Sequence, residues 1–402
     1  MVGLDIGTSK VSVVAAEIAS ESQVNVIGVG TSPSNGMRKG VVVDIDGIVR
    51  SIGTALEQAE RMAGIDIKSA YIGITGAHIS SLNNRGVVAV GREDKEITQE
   101  DVDRVMDAAR VINIPSDREI IHVLPREFVV DGYDGVRDPV GMMGVRLEVE
   151  AQIVTGAVTS MQNLLRAVYK SGLEVDDVVL APLASGEAVL HQAERELGVE
   201  VVDVGGGTTD IAIFENGSLW HAAVLPLGGD HITNDIAVGL RTPVFQAEKI
   251  KKDYGVARVS LIEDDSSFQM PLVGGTKEKS VARATLAGII EPRVQEILLM
   301  LDREVKKAGY GSVLPGGVVF TGGTSLLPGL VDFAQEVLDM PVRLGVPSGI
   351  GGLRDVVASP AYATAVGLVL FAASERDKSL PRQKEGGGGV FNRIKSWFRE
   401  FF

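Results

Sequence analysis

Apolar and polar residues alternate through the N-terminal part of the chain. Residues 2–17 and 24–45 alternate with the period of two that is typical of strands, whereas residues 48–64 repeat apolar side chains at helical spacing. Near residue 80 the sequence becomes polar and rich in turn-forming residues, which predicts the start of an insertion. We expect the insertion to run to about residue 157, where the main body resumes.

Helical and strand-like segments follow one another through the rest of the chain. Thr98 and Asp101 have the positions of a helix N-cap and a first-turn acid, and residues 159–172 predict a second capped helix. Residues 231–300 predict a mostly helical lobe, whose long helix begins near Glu291. Two similar series of strands and helices predict an α/β fold, with parallel or mixed sheets covered by helices.

The composition fits a globular protein with an acidic body. The 402 residues are 45% hydrophobic and 23% charged, which allows two or three domains with apolar cores. The net charge of −14 disfavours nucleic-acid binding, because nucleic acids require a basic surface. The sequence has no cysteine, which excludes disulfides and thiolate metal sites. The longest apolar stretch, residues 361–373, is too short to span a membrane and predicts a buried helix.

Two stretches about half a chain apart share an unusual pattern. "DIGTSK" begins at Asp5 and "DVGGGTTD" begins at Asp203, and each joins two apolar strands. The pattern predicts two tight hairpins whose glycine amides and hydroxyls bind phosphate. Asp5 and Asp203 are placed to hold Mg²⁺, directly or through water, because Mg²⁺ prefers oxygen ligands and pairs with phosphates. The predicted phosphate contacts are Gly7, Thr8, Ser9, Lys10, Gly205, Gly206, Gly207, Thr208 and Thr209.

A third glycine turn offers a place for a nucleoside. Gly322 and Gly323 follow an apolar strand and precede a helix expected to start near Ser325, and their bare backbone would let a base or ribose approach. Glu248 and Lys251 share one helical face and could reach the ribose, although such spacing is usually a solvated charged face. Each hairpin alone could be an ordinary glycine-rich turn, and the occurrence of two favours phosphate binding. The sequence contains neither a Walker A motif nor a dinucleotide-binding glycine motif.

These motifs resemble those of the superfamily of actins, heat-shock chaperones and sugar kinases, in which two α/β domains close around ATP·Mg²⁺. Residues 96–156, with "DPVGM" from Asp138 and "GVRLE" from Gly144, are similar to the inserted subdomain of the FtsA family of actin-like division proteins. The resemblance covers essentially the whole chain. It implies an ATP-binding protein that polymerises on the cytoplasmic face of the membrane, at the division septum, and anchors the tubulin-like FtsZ ring.

The resemblance also implies partners and domain boundaries. Later division proteins would bind the inserted subdomain, and the acidic FtsZ tail would bind the helical lobe at Arg293, unless Arg293 is an ordinary surface arginine. The expected domains are 1–80 with 158–195 and a closing helix at 361–375 (first domain), 81–157 (insertion), 196–230 with 301–360 (second domain), and 231–300 (helical lobe). They are followed by a flexible linker, 376–389, and a membrane-targeting helix, 390–402.

The C-terminal part of the chain is basic, unlike the body. Residues 376–402 contain seven Lys or Arg and three Asp or Glu, and glycines precede an aromatic-rich end. A helix there would place apolar side chains on one side and cations elsewhere, as in helices that lie in the membrane interface. Docking on the protein's own core is the alternative, which a flexible glycine linker serves poorly. The predicted membrane contacts are Phe391, Ile394, Trp397, Phe398 and Phe401.

The run "LAPLASGEA" bears on catalysis. Related chaperones and filament proteins have a Glu before the proline of this helix, where it orients the attacking water, whereas Ala181 precedes Pro182 here and Glu187 is the nearest carboxylate. The resemblance therefore implies an ATPase that is weak at most, with no assigned catalytic residue. The alternatives are a kinase-type enzyme on the same scaffold and an adaptor similar to the pilus-assembly protein PilM.

Overall fold

The structure is a computed structural model that describes residues 1–19, 23–91, 94–263, 266–271, 278–309 and 314–379. The predicted membrane helix and most of the predicted linker lie outside these residues. The chain opens with a hairpin and a third antiparallel strand, followed by a short β-ladder, a long helix and a returning strand. These are β1 (Val2–Ile6), β2 (Lys10–Ile18), β3 (Val24–Pro33), β4 (Met37–Arg38), β5 (Val41–Val42), α1 (Ile45–Ala63) and β6 (Ser69–Ile74).

The insertion forms a small sheet covered by one helix. Its elements are β7 (Ser80–Ala89), α2 (Gln99–Arg110), β8 (Arg118–Val130), β9 (Tyr133–Val136) and β10 (Arg146–Ala157), with the strand order β7-β10-β8-β9. Asp101 accepts a hydrogen bond from the backbone N–H of Thr98, so the predicted start of α2 is confirmed. The turn-forming residues after residue 80 lie in a strand, β7. β7 is an edge strand of this sheet, and its polar residues Ser80, Asn83 and Arg85 are exposed, as are the apolar Leu82 and Val87.

After the insertion the chain returns to the first sheet and then crosses to the second half. The elements are α3 (Val158–Lys170), β11 (Glu174–Leu180), α4 (Ala181–Val189) and α5 (Gln192–Leu197). α3 begins one residue before the predicted start, and Ala157 precedes it without a side-chain cap.

The second half repeats the strand pattern of the first and adds a helical lobe. Its elements are β12 (Val199–Val204), β13 (Thr209–Glu215), β14 (Ser218–Leu225), α6 (Gly229–Leu240), α7 (Val244–Tyr254), β15 (Ser267–Pro271), β16 (Glu278–Ala282), α8 (Arg283–Lys307), β17 (Val318–Thr321), α9 (Leu330–Leu338), β18 (Val342–Leu344), β19 (Ile350–Gly352) and α10 (Ala363–Ser379).

The two main sheets have equivalent strand orders. The first runs β11-β6-β1-β2-β3-β19, and the second runs β18-β17-β12-β13-β14. In each, the hairpin is antiparallel, while its first strand pairs in parallel with a later strand, β6 or β17. The carboxyl ends of β1 and β12 therefore occupy equivalent places, which positions the two glycine turns alike.

α4 and α10 pack against each other between the two halves. Their backbones approach so closely that a Cβ added at Gly367 of α10 would lie 1.8 Å from the carbonyl oxygen of Ala184 in α4. One hydrophobic core includes both helices and the first sheet, and a second core lies between the other face of the second sheet and α8 and α9. The two helices thus connect the halves at their centre.

Three predicted boundaries were wrong. α8 begins at Arg283 and contains Pro292, because Leu286 and Ile290 extend its buried face upstream and offset the backbone hydrogen bond that the proline cannot donate. The turn after Gly322 is a 3₁₀ segment, and α9 starts only at Leu330. α10 continues to Ser379, into the first four residues assigned to the linker.

Candidate functional site

The two glycine turns close with the same hydrogen bond. The N–H of Gly7 donates to the carbonyl oxygen of Lys10 at 3.0 Å, and the N–H of Gly205 donates to that of Thr208 at 2.9 Å. Each turn joins two antiparallel strands, so both predicted hairpins are present.

The turns come from opposite halves and touch each other. A Cβ added at Gly206 would lie 1.8 Å from Ser9 Oγ, and one added at Gly207 would lie 2.6 Å from Thr8 Oγ1. A side chain at either glycine would collide with the opposing turn. The run of three glycines therefore lets the two halves approach, in addition to leaving backbone amides bare.

A cleft of about 760 Å³ lies at this junction. Most of the predicted site residues line it: Asp5, Gly7, Thr8, Ser9, Lys10, Asp203, Gly205, Gly206, Thr208, Glu248, Lys251, Gly322 and Gly323. Gly207 and Thr209 are not among the lining residues. Thr209 is fully buried and its hydroxyl donates to the carbonyl oxygen of Leu227, so its assignment to phosphate was wrong. The side chains of a strand alternate between faces, and Thr209 points to the core face.

Carboxyl groups are concentrated on the floor of the cleft. Burial raises the pKa of Asp5 to about 7, against the opposing effect of Lys10, and burial also raises the pKa of Asp203. The pKa of Asp210 stands well above its ordinary value because of burial and of the neighbouring Asp203. Lys10 lies among these groups and donates to the carbonyl oxygen of Ala361 at 2.7 Å. Buried carboxyl oxygens with a single lysine suit a divalent cation and a polyphosphate.

Within the described residues, no group of three or more His, Cys, Asp or Glu is arranged to hold a metal ion directly. The cleft does contain the two predicted carboxyl groups, Asp5 and Asp203, and one or two carboxylates with substrate phosphates are what Mg²⁺ usually binds.

Several residues in or next to the cleft were not predicted from the sequence. Asp210 Oδ1 accepts a hydrogen bond from the hydroxyl of Thr75, which belongs to the other half. Asp203 Oδ2 accepts hydrogen bonds from Ser185 Oγ at 2.6 Å and from Thr364 Oγ1 at 3.0 Å. The second Asp of "DVGGGTTD" was the available clue for Asp210, whereas nothing near Ser185 or Thr364 in the sequence points to this contact.

The predicted nucleoside residues line the same cleft, next to the second glycine turn. Lys251 Nζ lies 2.7 Å from Glu248 Oε2 and donates to the carbonyl oxygen of Gly229 at 3.0 Å. The predicted pair on α7 thus faces the cleft rather than solvent. Gly322 has a φ of +84°, and a Cβ there would lie 2.3 Å from Asp203 Oδ1, so this position requires glycine. Leu326 follows in the 3₁₀ segment and brings an apolar surface to the cleft.

Ala181 lines the cleft at the start of α4, where the resemblance places a catalytic carboxylate in other families. Glu187 is not among the lining residues, and its Oε1 lies 2.7 Å from Arg195 Nη1. Glu187 is therefore placed for an ion pair and not for orienting a water molecule.

Arg293 lies within α8 and is paired inside the helical lobe. Its Nε donates to Asp235 Oδ2 at 2.6 Å, and its Nη1 donates to Glu296. The side chain remains 26% exposed. Val238, one turn along α6 from Asp235, exposes 79% of its surface.

The predicted membrane contacts, Phe391, Ile394, Trp397, Phe398 and Phe401, lie outside the described residues. Among the helices that the structure describes, none is both long and apolar enough to cross a membrane.

Comparison with known proteins identifies a single family. The family model described as "Cell division protein FtsA" matches residues 201–367, and "SHS2 domain inserted in FTSA" matches residues 76–155. The chain is 44% identical to FtsA of Pseudomonas aeruginosa over 410 residues, covering 100% of this chain and 98% of the relative. It is 46% identical to FtsA of Bacillus subtilis over 371 residues (92% and 83%), and 40% identical to FtsA of Escherichia coli K12 over 416 residues (100% and 98%).

Solved structures share the fold at lower sequence identity. The PilM–PilN type IV pilus biogenesis complex aligns with a TM-score of 0.68 and 17% identity, covering 92% of this chain and 98% of that one. MreB5 of Spiroplasma citri bound to ADP aligns with a TM-score of 0.56 and 14% identity, covering 94% and 97%. These likenesses confirm the predicted actin-like two-domain architecture.

Proposed function

The chain belongs to the FtsA family of actin-like cell division proteins, and from this premise we propose that it binds ATP·Mg²⁺ between its halves and links FtsZ to the membrane. As a family member it acts in division, at the septum, with partners from the division machinery and with further copies of itself. Actin-like ATPase folds generally bind a nucleotide and a divalent metal. The proposal adds four specific points to these family properties. The nucleotide is ATP, the metal is Mg²⁺, the partner is the FtsZ tail, and the chain attaches to the cytoplasmic face of the membrane.

The observation that carries the nucleotide site is the meeting of two equivalent turns, from opposite halves, over buried carboxyl groups. The amides and hydroxyls of both turns would bind the phosphates, while Asp5 and Asp203 would hold Mg²⁺ through water. Glu248 and Lys251 would contact the ribose, and the Gly322–Gly323 turn would admit the base. Bound Mg²⁺ would balance the negative charge of the carboxylates, and Lys10 would balance part of the negative charge of the phosphates.

The proposed role of ATP is conformational, with hydrolysis that is slow or absent. Ala181 occupies the position at which a carboxylate would orient the attacking water. The nearby carboxylate of Glu187 is already paired with Arg195. A ligand that contacts both halves at once favours the closed arrangement, since its binding energy depends on the two turns being close. ATP would thereby select the shape that assembles into polymers.

The proposed membrane link is the C-terminal helix, and later division proteins would bind the inserted subdomain. The proposed FtsZ contact is the face of the helical lobe that carries Arg293, because a partly exposed arginine attracts an acidic tail. Val238, one helical turn from the arginine's partner Asp235, adds an exposed apolar side chain. Neither a kinase nor a PilM-like adaptor is favoured over this proposal, since FtsA family models match both the body and the insertion.

The nucleotide site is tested by titrating labelled ATP, with Mg²⁺ present, into the wild-type chain and the Asp203→Ala variant. We expect a loss of affinity of at least about tenfold, as for removal of a charged group that organises a cation and phosphates. Asp332→Ala, which changes an exposed aspartate on α9, is the control and should bind as the wild type does. Undiminished affinity of the Asp203→Ala variant would remove the site.

A further inference from the structure

Asp203 is held at one oxygen by two hydroxyls that come from different helices. Ser185 Oγ and Thr364 Oγ1 lie 2.6 Å and 3.0 Å from Asp203 Oδ2, and they lie 3.0 Å from each other. All three side chains are buried, and Ser185 is fully so. The contacts join residues 18 and 161 positions apart from Asp203, so the fold alone brings them together.

We propose that Ser185 and Thr364 are positioning residues, which fix the Asp203 carboxylate so that its other oxygen faces the magnesium–phosphate part of the cleft. This inference rests on the proposed nucleotide site. Two donors on Oδ2 stabilise the charged carboxylate and leave Oδ1 without a bond from either hydroxyl, so Oδ1 remains for the cleft that Asp203 lines beside Asp5. The orientation of Asp203 is thus set by the two hydroxyls on Oδ2.

Ser185 shows that the arrangement is specific. A buried helical serine ordinarily returns its hydroxyl to a carbonyl one turn earlier in its own helix. Ser51 in α1 does so, donating to the carbonyl oxygen of Gly47 at 3.2 Å. Ser185 occupies a comparable place in α4, yet its hydroxyl leaves the helix and crosses to β12.

Thr364 extends the contact to the first half of the molecule. It lies in the first turn of α10, and a Cβ added at Gly73 of β6 would lie 3.3 Å from its methyl carbon. Its methyl therefore packs on the first sheet while its hydroxyl holds an aspartate of the second sheet. Because α4 and α10 contact each other through their backbones, the carboxylate is attached to both helices that connect the halves.

The test separates positioning of Asp203 from ordinary support of the core. The affinity for a fluorescent ATP analogue is measured once with saturating Mg²⁺ and once with EDTA. The ratio of the affinity with Mg²⁺ to the affinity in EDTA is the magnesium gain. For Thr364→Val, which keeps the shape but loses the hydroxyl, we expect the gain to fall about tenfold, as for loss of a hydrogen bond to a charged group. The affinity in EDTA should stay within about twofold of the wild type.

Thr364→Ser keeps the hydroxyl and should restore the gain, while Ser185→Ala should reduce it as Thr364→Val does. Ser51→Ala removes a buried helical hydroxyl elsewhere and should leave the gain unchanged. A purely structural role would lower thermal stability and weaken binding equally with and without Mg²⁺, which would overturn the inference. If Ser185→Ala does not fold, the pair Thr364→Val and Thr364→Ser decides the question.

The outcomes distinguish this inference from the proposal on which it rests. A wild-type chain that binds no ATP refutes both. A wild-type chain with a clear magnesium gain, matched by the gain of Thr364→Val, refutes only the positioning role.

Discussion

Glu200 is the second residue of β12, and its side chain is on the same face of the strand as Val202 and Val204, which belong to the second core. It is fully buried, and within the described part of the chain neither carboxyl oxygen has a hydrogen-bond partner. Burial raises its pKa to about 8, and the charges of Asp302 and Glu304 on α8 add to the rise. The folded protein therefore holds this carboxyl group in its neutral form at pH 7.

This residue gives the stability of the protein a defined pH dependence. Because the folded pKa is raised, the unfolded chain releases the proton first as the pH increases, and the stabilisation from Glu200 is lost between about 4.5 and 8. Glu200→Gln does not titrate, so its stability relative to that of the wild type should rise between pH 4.5 and 8, by up to about 1.4 kcal/mol per pH unit.

Denaturant unfolding at pH 5, 6.5 and 8 checks the prediction. Glu57→Gln, at an exposed position of α1, should follow the wild type throughout. Parallel pH profiles for the wild type and Glu200→Gln would contradict the assignment.

At this scale the sequence predicted most of the cleft and missed the residues that support it. Asp5, Lys10 and Asp203 were predictable because each sits inside a local motif of strand, turn and strand. Ser185 and Thr364 act through contacts between distant segments, and their own neighbours resemble ordinary helix sequence. A local pattern cannot record a partner that only tertiary packing supplies.

Among the elements, α8 shows how a boundary depends on the core. Its proline and polar start predicted a beginning near Glu291, but burial of Leu286 and Ile290 extends the helix to Arg283. The two ends of α1 are marked by local capping residues, Asp44 before its start and the left-handed Gly64 after its end. Its boundaries were therefore predictable within a few residues.

The corrected helix changes the expectation for Arg293, which lies within α8 and already binds Asp235. Arg293→Glu should weaken binding of the FtsZ tail peptide by about tenfold, because it replaces attraction with repulsion of an acidic ligand. Asp235→Asn should strengthen binding, since it releases the arginine from a competing carboxylate.

Fluorescence anisotropy with a labelled tail peptide measures both effects. Arg303→Glu, an exposed change on the same helix, is the matched control for added charge and should bind normally. If Arg293→Glu binds like Arg303→Glu, the contact lies elsewhere on the lobe.

At the scale of the whole molecule, the two main sheets have equivalent strand orders and are joined through α4 and α10, and the acidic chain ends in a basic segment. The paired motifs predicted this duplication, since each strand–turn–strand unit marks the same place in its half. What the motifs could not predict is the direct contact of the two turns, which depends on the packing of the halves.

At this scale we predict that membrane attachment depends on residues 388–402. Removing them should lower sedimentation with anionic liposomes at least about tenfold, because the aromatic and cationic side chains are lost together. Binding of labelled ATP should be retained, which is the internal control for folding. Equal sedimentation of the truncated and full-length chains would contradict the prediction.

The close approach of Ser9 and Gly206 restricts which residues the two turns can carry, as well as how the two halves pack. A bulkier residue in one turn is tolerated only if the other turn recedes, so neither can be exchanged by itself. A chimera built from the first half of one homologue and the second half of another would inherit this constraint. Its cleft would form only when the two turns arrive as a compatible pair.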